Sequence, residues 1–188
     1  KYIESYKYLK KLDGLEKSHS AFQSKYLYSL VNSEHFNQAI NYSKKMEKEQ
    51  RDVFEGDLVI GLYYFKNSKF ELSKKYFLKA KRRNSRSVLD YYIAETLYIW
   101  SDLRNKEIEK AKIRLNQLDS RFENIKKIQN VFLNCFYNNG KTSILFDNLT
   151  SNKKTDFSRY NYFHAKYLDR IGEKSKATQI IKSSLKSN

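Results

Sequence analysis

Apolar and polar positions over residues 57–87 follow the pattern of two short amphipathic helices joined by a tight turn. The first helix has Gly61 and Tyr64 on one side. In the second helix, small or apolar residues recur every three or four positions, at Phe70, Ser73, Phe77 and Ala80. Ser68 and Glu71 have the spacing of a capping box and predict that this helix starts near residue 68. The stretch therefore predicts a helical hairpin.

The same pattern returns along the chain at intervals of 34 residues. Phe70 follows Phe36 by this distance, and Tyr98 follows Tyr64 by it. Ala111 comes four positions late, which predicts that the turn between residues 101 and 106 holds the additional residues. A unit of this length that repeats along a chain indicates a stack of helical hairpins, since one hairpin cannot bury both of its faces.

The order Ile60-Gly61-x-x-Tyr64, followed by Ser73-x-x-x-Phe77, resembles the tetratricopeptide repeat. The proline that ends the family's pattern is missing, and Ser73 stands where alanine is usual. The resemblance implies an all-α fold, a right-handed α-α superhelix of antiparallel helix pairs with about five and a half repeats. It covers residues 1–188 as a single domain, with approximate units 1–14 (a half repeat), 19–50, 53–85, 87–120, 122–150 and 155–187.

Composition agrees with a helical fold. The 188 residues include no proline and five glycines, which leaves little of the turn chemistry that an all-β fold needs. No run of 18 apolar residues exists to predict a transmembrane span, and the N-terminus does not resemble a signal sequence. We therefore expect a cytoplasmic location. Because the chain opens without methionine, we also expect it to be a segment of a longer protein.

Reactive side chains form no recognisable catalytic pattern in the sequence. Cys135 is the single cysteine, and no candidate base lies near it in sequence. The histidines His19, His35 and His164 are far apart and lack a metal-ligand spacing. The five glycines stand alone, so no phosphate-binding loop is present. We expect a protein that is not an enzyme and that uses no cofactor and no metal.

The resemblance also implies where a partner would bind. In tetratricopeptide proteins the first helix of each unit lines the inner face of the superhelix, where partner peptides lie. Aromatic anchors with polar and basic neighbours suit a protein or peptide partner. Placed on this pattern, the groove comprises Tyr28, Asn32, Leu62, Phe65, Lys66, Tyr92, Thr96, Trp100, Tyr162, Lys166 and Arg170. The leading hypothesis is a non-catalytic scaffold that binds a partner segment along these residues.

The formal net charge of +16 leaves two alternatives open. One is a basic α-solenoid that binds RNA, DNA or an anionic surface through its densest basic stretch, here called the basic patch. The basic patch comprises Lys79, Lys81, Arg82, Arg83 and Arg86. Abundant lysine, asparagine and tyrosine also fit the composition of an A+T-rich genome, so nucleic acid is not favoured. The other alternative is a repeat arm of a larger enzyme whose catalytic part lies outside this segment.

Overall fold

The computed structural model describes residues 2–12, 21–83, 87–151 and 156–186. All regular structure in these ranges is helical and no strand occurs in them, which confirms the all-α prediction. The α-helices are α1 (Tyr2–Lys11), α2 (Phe22–Asn32), α3 (Phe36–Lys48), α4 (Phe54–Lys66), α5 (Phe70–Arg82), α6 (Val88–Arg104), α7 (Ile108–Asn116), α8 (Glu123–Phe136), α9 (Thr142–Thr150), α10 (Asn161–Arg170) and α11 (Lys174–Lys186). Among these described helices, none combines the length and the apolar character that crossing a membrane requires.

The chain divides into two compact units, Lys1–Ala111 and Lys112–Asn188, with the boundary inside α7. Within the first unit, each helix from α1 to α6 packs against the next, and α2 also packs against α4. Within the second unit, α8 packs on α9, α9 on α10 and α10 on α11. Each unit is therefore a series of helices in which neighbours in sequence are neighbours in space, as a repeat protein requires.

The helices α4 and α5 form the hairpin that the sequence predicts, and we call them the central hairpin. Gly61 allows α5 to come close, because a Cβ atom at residue 61 would lie only 2.5 Å from Cε1 of Phe77. Ser73 occupies the usual alanine position, and its hydroxyl donates a hydrogen bond to the Gly61 carbonyl at 3.0 Å. The Ser73 hydroxyl oxygen also lies 3.2 Å from Oγ of Ser101 on α6. The serine thus links three successive helices from a fully buried position.

Six turns between helices in the described ranges share one backbone conformation. One residue of each turn has a positive φ angle: Glu34, Gln50, Ser68, Lys106, Asn138 and Gly172. In each turn the next residue donates its N–H to the carbonyl five positions earlier, at 2.8–3.0 Å, as in the Lys69 to Tyr64 bond. This is the Schellman motif, which satisfies carbonyls at a helix end. Ser68 therefore belongs to the end of α4. The capping-box prediction is wrong, because the N-cap of α5 is Lys69 and makes no side-chain cap bond.

The four additional residues before Ala111 lengthen a helix and leave the turn unchanged. Helix α6 has 17 residues, against 13 in α4, and it continues to Arg104. The turn that follows has the same Schellman geometry as the others, with Lys106 in the left-handed region. The prediction of a longer loop is wrong for a physical reason. Four residues make about one helical turn, so the buried face of the longer helix keeps its direction.

The second unit has a core of its own between α8, α9, α10 and α11. Its buried members include Val131, Phe146, Leu149, Ala165 and Leu168. Helix α9 ends at Thr150, the position at which the sequence predicts its end. The two helices α10 and α11 form what we call the terminal hairpin, in which Ala165 and Ala177 are both buried. Small residues therefore lie at the centre of the hairpin here as well.

Candidate functional site

The predicted partner groove begins on α2 and α4, where two apolar side chains stay exposed. Tyr28 is 57% exposed and Leu62 is 45% exposed, although both belong to helices whose other faces are buried. They are 34 residues apart in sequence, and α2 packs against α4, so the two side chains occupy equivalent positions on neighbouring helices. Tyr28 also lines an open groove of about 610 Å³ together with Tyr8 and Leu9 of α1.

The polar members of this part of the groove lie toward the ends of the same helices. Asn32 and Lys66 are exposed, and the Asn32 side-chain amide donates to the Tyr28 carbonyl at 2.8 Å. Phe65 is half-buried because its ring packs edge-on against Phe70, with 5.6 Å between the ring centroids. Asn32 and Lys66 are therefore accessible to a partner, whereas part of the Phe65 ring is buried inside the central hairpin.

Helix α6 contributes less exposed side-chain surface to the predicted groove than the sequence suggests. Tyr92 is 7% exposed, so almost none of its ring can reach a partner. Thr96 and Trp100 are both half-buried. The periodicity places the three residues on a first helix, and Tyr92 is one of the seven residues that α6 buries. Tyr92 therefore belongs to the core of the first unit and is removed from the candidate groove.

On α10 the three predicted groove residues have different surroundings. Tyr162 is 53% exposed, and the Lys166 ammonium group lies 5.3 Å from the centre of its ring. Arg170 donates to the Cys135 carbonyl at 2.7 Å and to the Asn138 side-chain carbonyl at 2.6 Å. Arg170 thus ties α10 to the end of α8, while Tyr162 and Lys166 remain available at the surface.

Most described members of the basic patch are paired with carboxylates from other segments of the chain. Lys79 contacts Glu47 at 2.8 Å, Asp52 at 2.6 Å and Asp57 at 3.3 Å. Arg83 pairs with the same two aspartates, Asp52 and Asp57. The Asp57 side chain is completely buried, and burial raises its pKa to about 6 although Lys79 opposes the shift. These two cations therefore hold α3, α4 and α5 together and are poorly placed to bind phosphates.

The remaining members of the basic patch differ from one another. Lys81 pairs with Glu95 of α6 at 2.6 Å. Arg82 is exposed and forms no ion pair within the described ranges. Arg86 lies outside the described residues. The described part of the patch therefore offers one accessible cation, which is a small electrostatic footprint for a nucleic acid.

Lys74, which precedes the patch on α5, is the most enclosed cation among the described residues of the first unit. It is 8% exposed and contacts Glu71 at 2.6 Å, Asp102 at 3.2 Å and Glu107 at 2.5 Å. Burial alone would lower the pKa of Lys74, but hydrogen bonds to Glu107, Glu71 and Asp102 raise it above its ordinary value. Hydrogen bonds from Lys110 and Lys74 lower the pKa of Glu107 to about 2.

Sequence reasoning missed these ion pairs because it counted only the acids within the basic stretch itself. Most of the carboxylates that neutralise the stretch lie 22 to 33 residues away, as in the Lys79–Asp57 and Lys74–Glu107 pairs, and Glu95 lies 14 residues from Lys81. A repeat of 34 residues brings such positions side by side. A comparison of charged residues about one repeat apart in the sequence could therefore have predicted most of these ion pairs.

His164 lies in the core of the second unit and not at an open site. It is 1% exposed, stacks on Phe146 at 5.0 Å, and its Nε2 atom lies 2.9 Å from Oγ of Ser143. Its Nδ1 atom is 3.7 Å from the exposed Asp147 carboxylate. Burial lowers the pKa of His164, and Asp147 opposes this shift only in part. The three polar groups resemble a hydrolytic triad in type, but the buried imidazole has no opening through which a substrate could reach it.

The other candidate reactive groups are also involved in packing. Burial raises the pKa of the Cys135 thiol despite the nearby Arg170, so the thiol is a poor nucleophile at neutral pH. His35 packs against Tyr6 with 4.6 Å between the ring centroids. His19 lies outside the described residues. Within the described ranges, no three His, Cys, Asp or Glu side chains are grouped so that they could hold a metal ion.

No protein-family model matches the chain, and a search of curated proteins finds no sequence match. The resemblance to the tetratricopeptide repeat therefore stays a prediction made from the 34-residue period and its small-residue positions.

Proposed function

We propose that this chain is a non-catalytic helical-repeat scaffold that binds a segment of another protein along the first helices of its hairpins. The observation that carries the proposal is the exposure of Tyr28 and Leu62 at equivalent positions on packed neighbouring helices. Apolar side chains in such a row can anchor an extended or helical peptide, because their burial by a partner removes apolar surface from water. Asn32 and Lys66, one turn further along the same helices, supply a polar rim.

The first unit contains a matched control for this proposal. Leu72 is 42% exposed on α5, nearly the same as Leu62 on α4, but it belongs to the second helix of the hairpin. The variants Leu62→Ser and Leu72→Ser therefore remove similar apolar area from different helices. We expect affinity purification followed by mass spectrometry to lose its specific partners with Leu62→Ser and Tyr28→Ser and to retain them with Leu72→Ser. Equal loss in all three variants, or no loss in any, contradicts the proposal.

Neutralisation of the basic patch makes nucleic acid the weaker candidate partner. Fluorescence anisotropy with a random oligonucleotide at low and physiological salt distinguishes the two functions. A scaffold of the proposed type binds the oligonucleotide weakly even at low salt. Tight binding with a steep dependence on salt concentration would favour the nucleic-acid alternative, because released counterions produce such a slope.

A further inference from the structure

The turns after α4 and α6 lie at one edge of the first unit. Asn105, in the turn after α6, donates its side-chain amide to Glu71 in the first turn of α5 at 2.7 Å. The Arg104 guanidinium lies 5.5 Å from the centre of the Phe70 ring. Both contacts bring the end of α6 to the start of α5. The exposed cations of these two turns, which we call the turn edge, are Lys66, Lys69, Arg104 and Lys106.

The acids next to the turn edge are already engaged elsewhere. Glu71, Asp102 and Glu107 contact the same lysine of α5, at 2.6, 3.2 and 2.5 Å. That lysine, Lys74, is buried and does not belong to the turn edge. Within the described ranges, none of the three lysines of the turn edge forms an ion pair. Their charges are therefore available to a partner.

The opposite end of the central hairpin has its cations paired. At the C-terminal end of α5, Lys79 contacts Asp52 at 2.6 Å, and Arg83 pairs with Asp52 and Asp57. A general excess of lysine in the chain would leave both ends of the hairpin with unpaired cations. The difference between the two ends shows that composition alone does not explain the turn edge.

Two of the four cations occupy positions where they do not stabilise the fold. Lys69 is the N-cap of α5 and makes no side-chain cap bond, and a cation is unfavourable there because a helix N-terminus is partly positive. Lys106 has a φ angle of 65°, a conformation that suits glycine. Lys66 and Arg104, by contrast, lie in the last turns of α4 and α6, where the helix dipole favours cations. Positions that break such local rules point to a role in function.

The turn edge borders the apolar row of the proposed function. Leu62 precedes Lys66 by four residues on α4, so the two side chains lie on one face of the helix. On α6, the half-buried Trp100 precedes Arg104 by the same distance. Both helices end in a Schellman turn whose left-handed residue lies two positions after the cation, so Trp100 matches Leu62 when the helices are aligned on this turn. A segment that covers Leu62 and Trp100 therefore passes beside the turn edge.

Charge determines the class of segment that fits this surface. Cations next to an apolar row favour a partner with carboxylates next to its apolar side chains. Nucleic acid is a poorer match, because four cations neutralise few phosphates. The half-buried Phe65 and Phe70 rings also pack against each other, 5.6 Å apart, instead of offering open faces on which bases stack. A second copy of this chain is a poor match as well, since its formal net charge is +16.

We propose that the segment bound along the apolar row is acidic and that its carboxylates pair with the turn edge. Leu62 and Trp100 contact its apolar side chains, and the four cations of the turn edge contact the carboxylates beside them. This inference rests on the proposed function and adds the chemical class of the partner.

The test uses the full chain and a defined fluorescent peptide. In the peptide, leucines stand three positions apart with glutamates between them, because three extended residues span about 10 Å and the axes of packed helices are roughly 8–10 Å apart. A second peptide carries glutamine in place of every glutamate. We expect the glutamate peptide to bind saturably and about 10-fold more tightly than the glutamine peptide.

Lys69→Asp separates binding from folding. It removes a cation of the turn edge and gives α5 an acidic N-cap, so the melting temperature should rise while peptide binding weakens by about 5- to 10-fold. A residue with a purely structural role would not show this combination. The matched control is Lys48→Asp, at an exposed lysine in the last turn of α3, near the start of α4. It should change binding by less than about 2-fold, and circular dichroism verifies the fold of each variant.

Comparison with Leu62→Ser distinguishes failure of this inference from failure of the proposed function. If Leu62→Ser abolishes peptide binding and Lys69→Asp leaves it unchanged, the apolar row stands and the acidic class is wrong. If Lys69→Asp weakens binding and Leu62→Ser has no effect, the apolar row is not a binding site and both proposals fail.

Three further outcomes overturn the inference. The first is equal affinity for the glutamate and glutamine peptides. In the second, a single-stranded oligonucleotide displaces the glutamate peptide at physiological salt and binds Lys69→Asp more weakly, which would make the turn edge a nucleic-acid surface. In the third, sedimentation shows wild-type dimers that Lys69→Asp abolishes, which would make a second copy the occupant.

Discussion

The central and terminal hairpins share a turn and a pattern of small residues but use their lysines in opposite ways. In the central hairpin Lys74, Lys79 and Lys81 all contact carboxylates of other helices. In the terminal hairpin Lys166, Lys174 and Lys182 are exposed around an open groove. These lysines of the central hairpin therefore hold helices together, whereas the three lysines of the terminal hairpin lie at the surface.

The difference also shows why net charge is a poor guide to function in this chain. Three of the four lysines of α5, Lys74, Lys79 and Lys81, pair with carboxylates, and the acids that contact Lys74 and Lys79 include ones about one repeat away in sequence. Lysines on α10 and α11 have fewer acids within reach, since residues 112–188 contain 15 Lys and Arg but only 6 Asp and Glu.

Replacing the buried lysine should have the largest effect. Lys74→Met removes the cation that contacts the Asp102 carboxylate, whose side chain is 2% exposed, and one of the two lysines that contact Glu107. Breaking a buried pair in this way costs about 3–5 kcal/mol of unfolding free energy. The same change at an exposed lysine of the terminal hairpin, Lys174→Met, should cost less than about 0.5 kcal/mol. Urea unfolding followed by circular dichroism measures both, and equal effects would remove the distinction between the hairpins.

The close approach at Gly61 is the next feature to test. Gly61→Ala forces its new Cβ atom against the Phe77 ring and should cost about 1–3 kcal/mol. Gly56→Ala on the same helix meets Leu27 and Ser43 at an ordinary 3.6 Å, so it should stabilise the protein by about 0.5–1 kcal/mol through helix propensity.

A double variant decides whether Phe77 is the cause of the Gly61 effect. Gly61→Ala with Phe77→Ile reproduces the Ala165 and Ile181 pair of the terminal hairpin. We expect the double variant to lose less stability than the sum of the two single changes, because the smaller side chain removes the clash. Strict additivity in thermal or urea unfolding would show that the two residues do not interact.

Mild acid should affect the two units in opposite directions. The folded pKa of Asp57 is about 6 against an ordinary 3.8, so the native state binds more protons than the unfolded state between these values. The unfolding free energy of the first unit should therefore rise by about 1 kcal/mol from pH 7 to pH 5. The folded pKa of His164 is lower than its ordinary 6.5, so the second unit loses stability as pH falls below that value. The stabilisation from Glu107 is fully present above pH 4.5 and is lost as the pH falls toward 2, so Glu107 does not change the stability between pH 7 and pH 5.

Hydrogen exchange measures the response of each unit separately once the intrinsic exchange rates are corrected for pH. Protection in α9 and α10 should decrease from pH 7 to pH 5, while protection in α4 and α5 should not. His164→Gln should remove the decrease, and Asp57→Asn should remove the gain. A parallel loss of protection in both units, unchanged in these variants, would contradict the assignment.

Turn residues should give the smallest effect. Ser68 and Gly172 occupy the same turn position, with φ angles of 58° and 88°. Ser68→Gly relieves a left-handed conformation and should stabilise the protein by about 0.5–1 kcal/mol, and Gly172→Ala should destabilise it by a similar amount. Melting temperatures of the two variants should therefore move in opposite directions. A shift in the same direction would show that the turns are not equivalent.

The sequence alone determined the helices and their order. The periodicity of Phe70, Ser73, Phe77 and Ala80 predicted α5 because a helix buries every third or fourth residue regardless of what covers it. The 34-residue period likewise predicted that similar helical hairpins return along the chain, because one hairpin cannot bury both of its faces. These features depend on residues near one another in sequence.

Tertiary structure decided which charged and aromatic side chains are accessible. Lys79 and Arg83 became structural because α3 and α4 bring Glu47, Asp52 and Asp57 to them, and Tyr92 became buried because of the surroundings of α6. Whether a lysine is paired or free depends on which helix covers it, and a helical period contains no information on that. Accessibility also differs between the hairpins: Ala177 and Lys182 line an open groove between α10 and α11, whereas α6 packs on the central hairpin.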